Sequence, residues 1–203
     1  MLITYAKRLQ PGLPMRTATR VLGLGYAVPG TVIAVGVLIP FAWLDNSLDA
    51  WMRAQFGIAT GLLLSGTLIA VVFAYIVRFL PVAMNTVEAG LGKIKPSMDD
   101  AGRSMGLGSW QILRHIHIPM LKGSLLTAAL LVFVDVLKEL PATLILRPFN
   151  FNTLAIRTYE LANQERLTEA AASALMIVVA GIIPVIIISL SISASRPGHD
   201  KRT

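Results

Sequence analysis

Hydrophobic positions along this chain form long unbroken runs. They do not alternate with polar ones at the period of a strand or of a half-exposed helix. Residues 21–44, 54–77 and 170–195 contain no charged side chain, and a fourth run, 123–146, is interrupted only by Asp135, Lys138 and Glu139. Each exceeds the roughly 20 residues that cross a hydrocarbon core of about 30 Å. A soluble helix is seldom so long and so apolar on every side. The pattern predicts an all-α fold, a polytopic transmembrane helix bundle of about four spans. It divides the chain into an N-terminal basic segment (1–20), a transmembrane domain (21–195) and a basic tail (196–203). Within the runs, Gly57, Gly61 and Ser65 recur at the spacing of a close-packing face, and Gly23, Gly30 and Gly36 thin the first span. Pro29, Pro40 and Pro184 each remove a backbone donor and predict kinks.

Composition supports the same class. The chain has 203 residues, of which 55% are hydrophobic and only 14% charged, against about a quarter charged in soluble domains. It has no cysteine, so neither a disulfide framework nor a thiolate metal site is available. The net charge of +7 reads as topology signalling, with no nucleic-acid partner. Thirteen Lys and Arg fall on the side holding the N-terminus, the central loop with Arg78 and the tail; four fall on the other. The positive-inside rule then puts both termini and the central loop in the cytoplasm. A short loop with Asp45 and Asp49 and a longer one from about 147 to 169 lie outside.

The central loop carries a polar island, DDAGRSMGLGSWQILRHIHIP, at residues 99–119. Ser97 is placed to cap a helix with Asp100 as its partner. Asp99 and Asp100 stand three or four residues from Arg103 and can pair with it along that helix. Ala101, Met105 and Leu107 give an apolar patch. Gly106-Leu107-Gly108 ends the helix, Ser109 caps a second one over Trp110 to Ile118, and Pro119 limits its continuation. The local expectation is helix, glycine turn, helix, shaped as a docking surface.

This island resembles the EAA loop of bacterial ABC importer permeases: Glu-Ala-Ala, three residues, Gly, nine residues, then Ile, any residue, Leu and Pro. Asp100-Ala101-Gly102 stands for the triplet, Gly106 for the glycine, and Ile116, Ile118 and Pro119 for the end of the motif. The departures are Asp for Glu, Gly for the second Ala and Ile for Leu. The resemblance implies a coupling helix that docks into an ATP-hydrolysing subunit. Asp100, Ala101, Gly102, Met105, Gly106, Leu107, Ile116, Ile118 and Pro119 would form that contact.

GYAVPGTVIAVGVL, FAYIVRFLPVA and DVLKELPATLILRPFNFNTLAIRTYELANQERLTEAA extend the resemblance to the C-terminal half of ferric-iron permeases. Such halves have about six spans, so the four here imply a partial permease fold. The implied place is the bacterial inner membrane. The implied partners are a cytoplasmic ATP-binding subunit, a periplasmic or extracellular solute-binding protein, and the missing N-terminal half or a second copy. Permeases of this kind also move thiamine, polyamines and oxyanions, so the resemblance leaves those substrates open. A truncated half that acts only in assembly is the alternative.

No cofactor is expected on this chain, and ATP would be used by the partner. Lys93 follows a glycine, but Val87 occupies the first glycine position of a phosphate loop and Ile94 stands where Ser or Thr belongs. No nucleophile–base set marks an intramembrane enzyme. Asp135, Lys138 and Glu139 share one helical face by spacing. Ionisable groups inside a span usually face protein or a water path, which makes them either a pathway gate or a neutralised packing cluster. His115 and His117 are two apart, poor spacing for helical metal ligands, and read as surface or docking residues. Tyr159, Glu160, Glu165 and Glu169 are hard oxygen donors suited to ferric iron, or a solvated loop that meets a binding protein.

Overall fold

The computed structural model describes residues 1–194, whose regular elements are all helical, with no strand. The last residue of the 170–195 run and the basic tail lie outside the described residues. Two short helices, α1 (Leu2–Leu9) and α2 (Leu13–Gly23), lead through a single 3-10 turn, Leu24–Tyr26, to the long α3 (Gly30–Phe56). A loop at 57–67 returns to α4 (Leu68–Leu91). The island follows as α5 (Pro96–Ser104), α6 (Ser109–Ile112), a π turn (Leu113–His117) and α7 (Ile118–Met120). Then come α8 (Lys122–Leu137), α9 (Pro141–Leu146), α10 (Leu154–Asn163) and α11 (Leu167–Ala194).

Among the described residues three helices are long and apolar enough to cross a bilayer: α3, α4 and α11. The total reaches four when α8 is counted with the helical run Ser109–Met120, which meets it at 74°. The 123–146 run breaks between the end of α8 and the start of α9, whose first residue is Pro141. Proline is tolerated inside three spans, as Pro40, Pro81 and Pro184, without ending the helix. Pro29 instead stands at the N-cap of α3.

The core sits where α3, α4 and α9 meet. Ile33, Ala34 and Val37 pack against Ala70, Val71 and Ala74, with Ala142 and Leu146 closing the cluster. Four of these eight residues are alanine, which lets helix backbones approach closely where lipid supplies no hydrophobic drive. Gly25, outside the glycine series noted in the sequence, is the tightest approach. A Cβ there would lie 2.1 Å from the Val77 carbonyl oxygen. Gly23 and Gly36 have nothing within 4 Å of an added Cβ and do not thin a contact.

The second apolar run is not a helix from its start. Gly57, Gly61 and Ser65 lie in the 57–67 loop and form no close-packing face. Gly57, Gly61 and Gly66 take positive φ of 69°, 65° and 68°, a region other residues enter only with strain. Asp45 and Asp49, expected in an external loop, lie inside α3 and hold this segment. Asp45, buried, accepts from the backbone N–H of Leu63, Leu64 and Ser65 and from the Ser65 hydroxyl at 2.6–3.2 Å. Asp49 accepts from Thr60 and Gly61 and from Arg53. Two carboxylates one helical turn apart thus replace the helix as partners for the loop's donors.

Replacing Asp45 by Ala leaves four donors without their acceptor, the buried Ser65 N–H and hydroxyl and the part-buried Leu63 and Leu64 N–H. Each is worth about 1–3 kcal/mol, so a stability loss of roughly 3 kcal/mol or more is expected. Thermal unfolding in detergent measures it, and proteolysis should concentrate at 57–67.

Candidate coupling elbow and mid-membrane ion pair

The island folds into an elbow between α4 and α8. Lys95 is the N-cap of α5 and Pro96 its first residue; Ser97 makes no cap bond, because the helix begins two residues earlier than its capping pattern suggests. The turn falls at Gly106, with φ of 80°. Gly108, not Ser109, caps the second arm, and its N–H is met by the Gln111 side chain at 2.9 Å. That arm does not stop at Pro119. A π turn immediately before it relieves the clash a proline ring makes with the preceding turn, and the helix runs on to Met120. Gly102 is where the two arms touch: a Cβ there would lie 3.0 Å from Ile112 Cγ1 and 3.3 Å from Ile116 Cδ1.

One face of the elbow is turned inward. Asp99 does not pair with Arg103. It is buried and receives His117 Nε2 at 2.5 Å and Arg8 of α1 at 2.8 Å. His117, read from sequence as a surface residue, is fully buried, with Tyr5 packed on its ring at 5.1 Å between centroids. Burial pushes the Tyr5 phenol above its ordinary pKa, and the neighbouring Asp99 carboxylate adds to it. Tyr5 therefore stays a donor and bonds the Ser109 carbonyl at 3.1 Å. Arg8 also donates to the Leu91 carbonyl at the end of α4, and Lys7 pairs with Glu88 at 2.5 Å. Helix α1 is thus a clasp that fastens both arms of the elbow to α4. His115 stays exposed, its Nδ1 bonded to the Gln111 carbonyl.

The second polar centre lies deep in the bundle. Arg78, expected in the cytoplasmic loop, is the eleventh residue of α4, roughly 15 Å from its start at 1.5 Å per residue. Its guanidinium pairs with Glu139 at 3.0 Å and donates to the Val28 carbonyl at 2.7 Å. Glu139 does not share a face with Asp135 and Lys138, because α8 ends at Leu137 and the chain turns there. Its other oxygen accepts from the Ala142 N–H at 3.3 Å. Gly30 leaves it room: a Cβ there would be 2.6 Å from that oxygen. Asp135 and Lys138 form their own pair at 2.9 Å, with Lys138 exposed. Beside them is a cavity of about 540 Å³ lined by Tyr26, Asn85, Thr86 and Asp135 among others.

Residues 3–203 match the family described as the binding-protein-dependent transport system inner membrane component. The chain belongs to that family. Among its relatives are the Fe(3+)-transport system permease protein FbpB 2 of Haemophilus influenzae and the putative 2-aminoethylphosphonate transport system permease protein PhnV of Salmonella typhimurium. The first is 29% identical over 163 residues, covering 80% of this chain and 29% of that protein. The second is 26% identical over 195 residues, covering 96% and 65%. The chain therefore spans less than two thirds of either relative. In fold it is similar to a chain of a bacterial ABC transporter that imports the acidic polysaccharide alginate, with a TM-score of 0.76 at 12% identity over 96% of this chain and 71% of that one.

Within this inner membrane component, the residues matched to the EAA pattern divide by exposure. Asp100, Ala101, Met105, Gly106 and Pro119 are exposed; Leu107, Ile116 and Ile118 are half-buried; Gly102 is buried between the arms. Trp110, 62% exposed beside the turn, joins Met105 at the tip. Its place next to the glycine turn was the signal available in sequence. Arg8, Asp99 and Arg78 carried no such signal, since their partners are remote in the chain. In the 147–169 segment Glu160 is held by Arg147 at 3.0 Å and Glu169 by Arg166 at 2.6 Å. Among the described residues no three His, Asp or Glu side chains gather as metal ligands.

Two outcomes follow. Glu139→Gln leaves Arg78 buried without its counter-charge and should cost about 3–5 kcal/mol. The double variant Arg78→Met/Glu139→Gln should recover most of that loss in thermal unfolding. Asp99→Ala should release α1, seen as faster hydrogen exchange of the Leu2–Leu9 amides with that of α4 unchanged.

Proposed function

We propose that this chain is part of the membrane pathway of an ATP-driven importer, with ATP hydrolysed on a separate cytoplasmic subunit and substrate delivered by an external binding protein. The elbow is the observation that carries the reading. It presents Asp100, Ala101, Met105, Gly106 and Trp110 outward at the junction of α4 and α8. Its inner face is fastened to α4 through Arg8 and Asp99. A partner that moves the tip would then move α4 as well. Both termini and the elbow would lie in the cytoplasm, by the charge asymmetry of the sequence. The pathway would be completed by further spans, from an N-terminal half or a second copy. Supporting this, none of the span window of α11 is buried by the rest of the chain.

Ferric iron is the proposed substrate. Support comes from the named Fe(3+) relative and the quoted sequence resemblance, with the phosphonate relatives as the competing reading. The 540 Å³ cavity beside Asp135, with the Lys138 pair and the Arg78–Glu139 pair near it, is the proposed gate region.

Gly106→Val tests the elbow. Its Cβ meets nothing within 4 Å, so only the backbone is strained. In the reconstituted transporter, uptake is expected to fall at least about fivefold, as a left-handed β-branched residue costs more than about 1 kcal/mol. Gly106→Asn, which tolerates positive φ, should retain most of it. Undiminished uptake in the Val variant would contradict the role. Uptake of ferric iron against 2-aminoethylphosphonate in the same vesicles decides the substrate.

A further inference from the structure

We propose that the elbow end of the bundle carries a binding site for the headgroup of an anionic phospholipid, built by Arg16 and Arg20 of α2 with Lys7 of α1 in its wall. The site is independent of the coupling role above.

Two adjoining cavities open there, of about 420 and 310 Å³, and both are lined by Lys7 and Arg16. The larger adds Arg8 and Glu88; the smaller adds Thr19 and Arg20. Four cations therefore surround a single lining carboxylate. Two of the cations are spoken for, Lys7 by Glu88 and Arg8 by Asp99. Among the described residues, Arg16 and Arg20 pair with no carboxylate. They stand one helical turn apart on the same face, and both are exposed. Basic pockets between membrane helices, on the side where Lys and Arg concentrate, recognise anionic headgroups.

What separates a lipid from a soluble anion is the stretch that follows, from the end of α2 into the 3-10 turn. Val21 and Leu24 are 67% and 59% exposed. Immediately beyond them Gly25 lies against Val77, well inside α4. The helix thus passes from a cationic turn to an apolar one as it goes deeper. A phosphodiester on Arg16 and Arg20 lays its acyl chains along Val21 and Leu24. A free phosphate would leave that apolar surface unused.

The test is native mass spectrometry of the full chain in detergent, with phosphatidylglycerol and phosphatidylcholine of identical acyl chains at equal concentration. Phosphatidylglycerol is expected to be retained about tenfold over phosphatidylcholine, given two cations near the headgroup. The preference should fall to about threefold or less in Arg16→Gln/Arg20→Gln. It should persist in Arg16→Lys/Arg20→Lys, and in Lys95→Gln, which removes an exposed cation from outside the site. Glycerol phosphate, the headgroup without chains, should not compete. Equal retention of the two lipids would overturn the proposal. So would a preference untouched by the Gln pair, one lost equally in Lys95→Gln, or full competition by glycerol phosphate.

Discussion

The Arg78–Glu139 ion pair is the interaction on which the bundle depends. Lipid offers a backbone no hydrogen-bond partners, so a spanning chain may break its helices only where protein satisfies the freed groups. This chain breaks twice at that depth, between α2 and α3 and between α8 and α9. Arg78 reaches the Val28 carbonyl at the first break, and Glu139 takes the Ala142 N–H at the second. The two charges meet each other at 3.0 Å. Each charge would be costly alone in the bilayer, and together they serve as bonding partners for two breaks in the chain. The alanine-rich contact of α3, α4 and α9 forms around them.

A second polar set repeats this logic nearer the surface. Asp99 joins Arg8 to His117, and Arg8 joins both to the last turn of α4. The elbow therefore has a bonded connection to α4, and α4 carries Arg78 to the break before α9. On the proposed function, this gives force applied at the elbow tip a continuous path of packed helix and ion pairs to mid-membrane. Among the described residues, α11 rests on α8 and α10 and leaves its apolar surface open.

Much of this was legible in the sequence because hydrophobic runs and glycine turns are local signals. The apolar runs announced a helical membrane protein, and the spacing to Gly106 marked the turn of the elbow. What the sequence misplaced was decided at a distance. Residues 54–77 look like one span by hydropathy alone, yet Asp45 and Asp49, already past in the chain, draw the 57–67 donors out of a helix. Arg78 follows an apolar run and looks like its boundary; Glu139 across the bundle is what holds it inside. His117 in a polar island looks exposed until Tyr5 and Asp99 enclose it. Helix caps erred for a smaller reason: Pro96 and Gly108 start their helices before the nearby serines can.

The central claim is that the elbow tip is gripped by a nucleotide-hydrolysing partner inside the cell. The chain has no cysteine of its own, so a single Met105→Cys gives one addressable thiol at the tip. Crosslinking it in the assembled, transporting complex, with a short bifunctional reagent, is the most direct measurement. The account predicts a product joining this chain to the ATP-binding subunit, with a yield that changes when nucleotide binds. An active complex in which that thiol never reaches the ATP-binding subunit, or reacts only with reagents confined to the outer side, would contradict it.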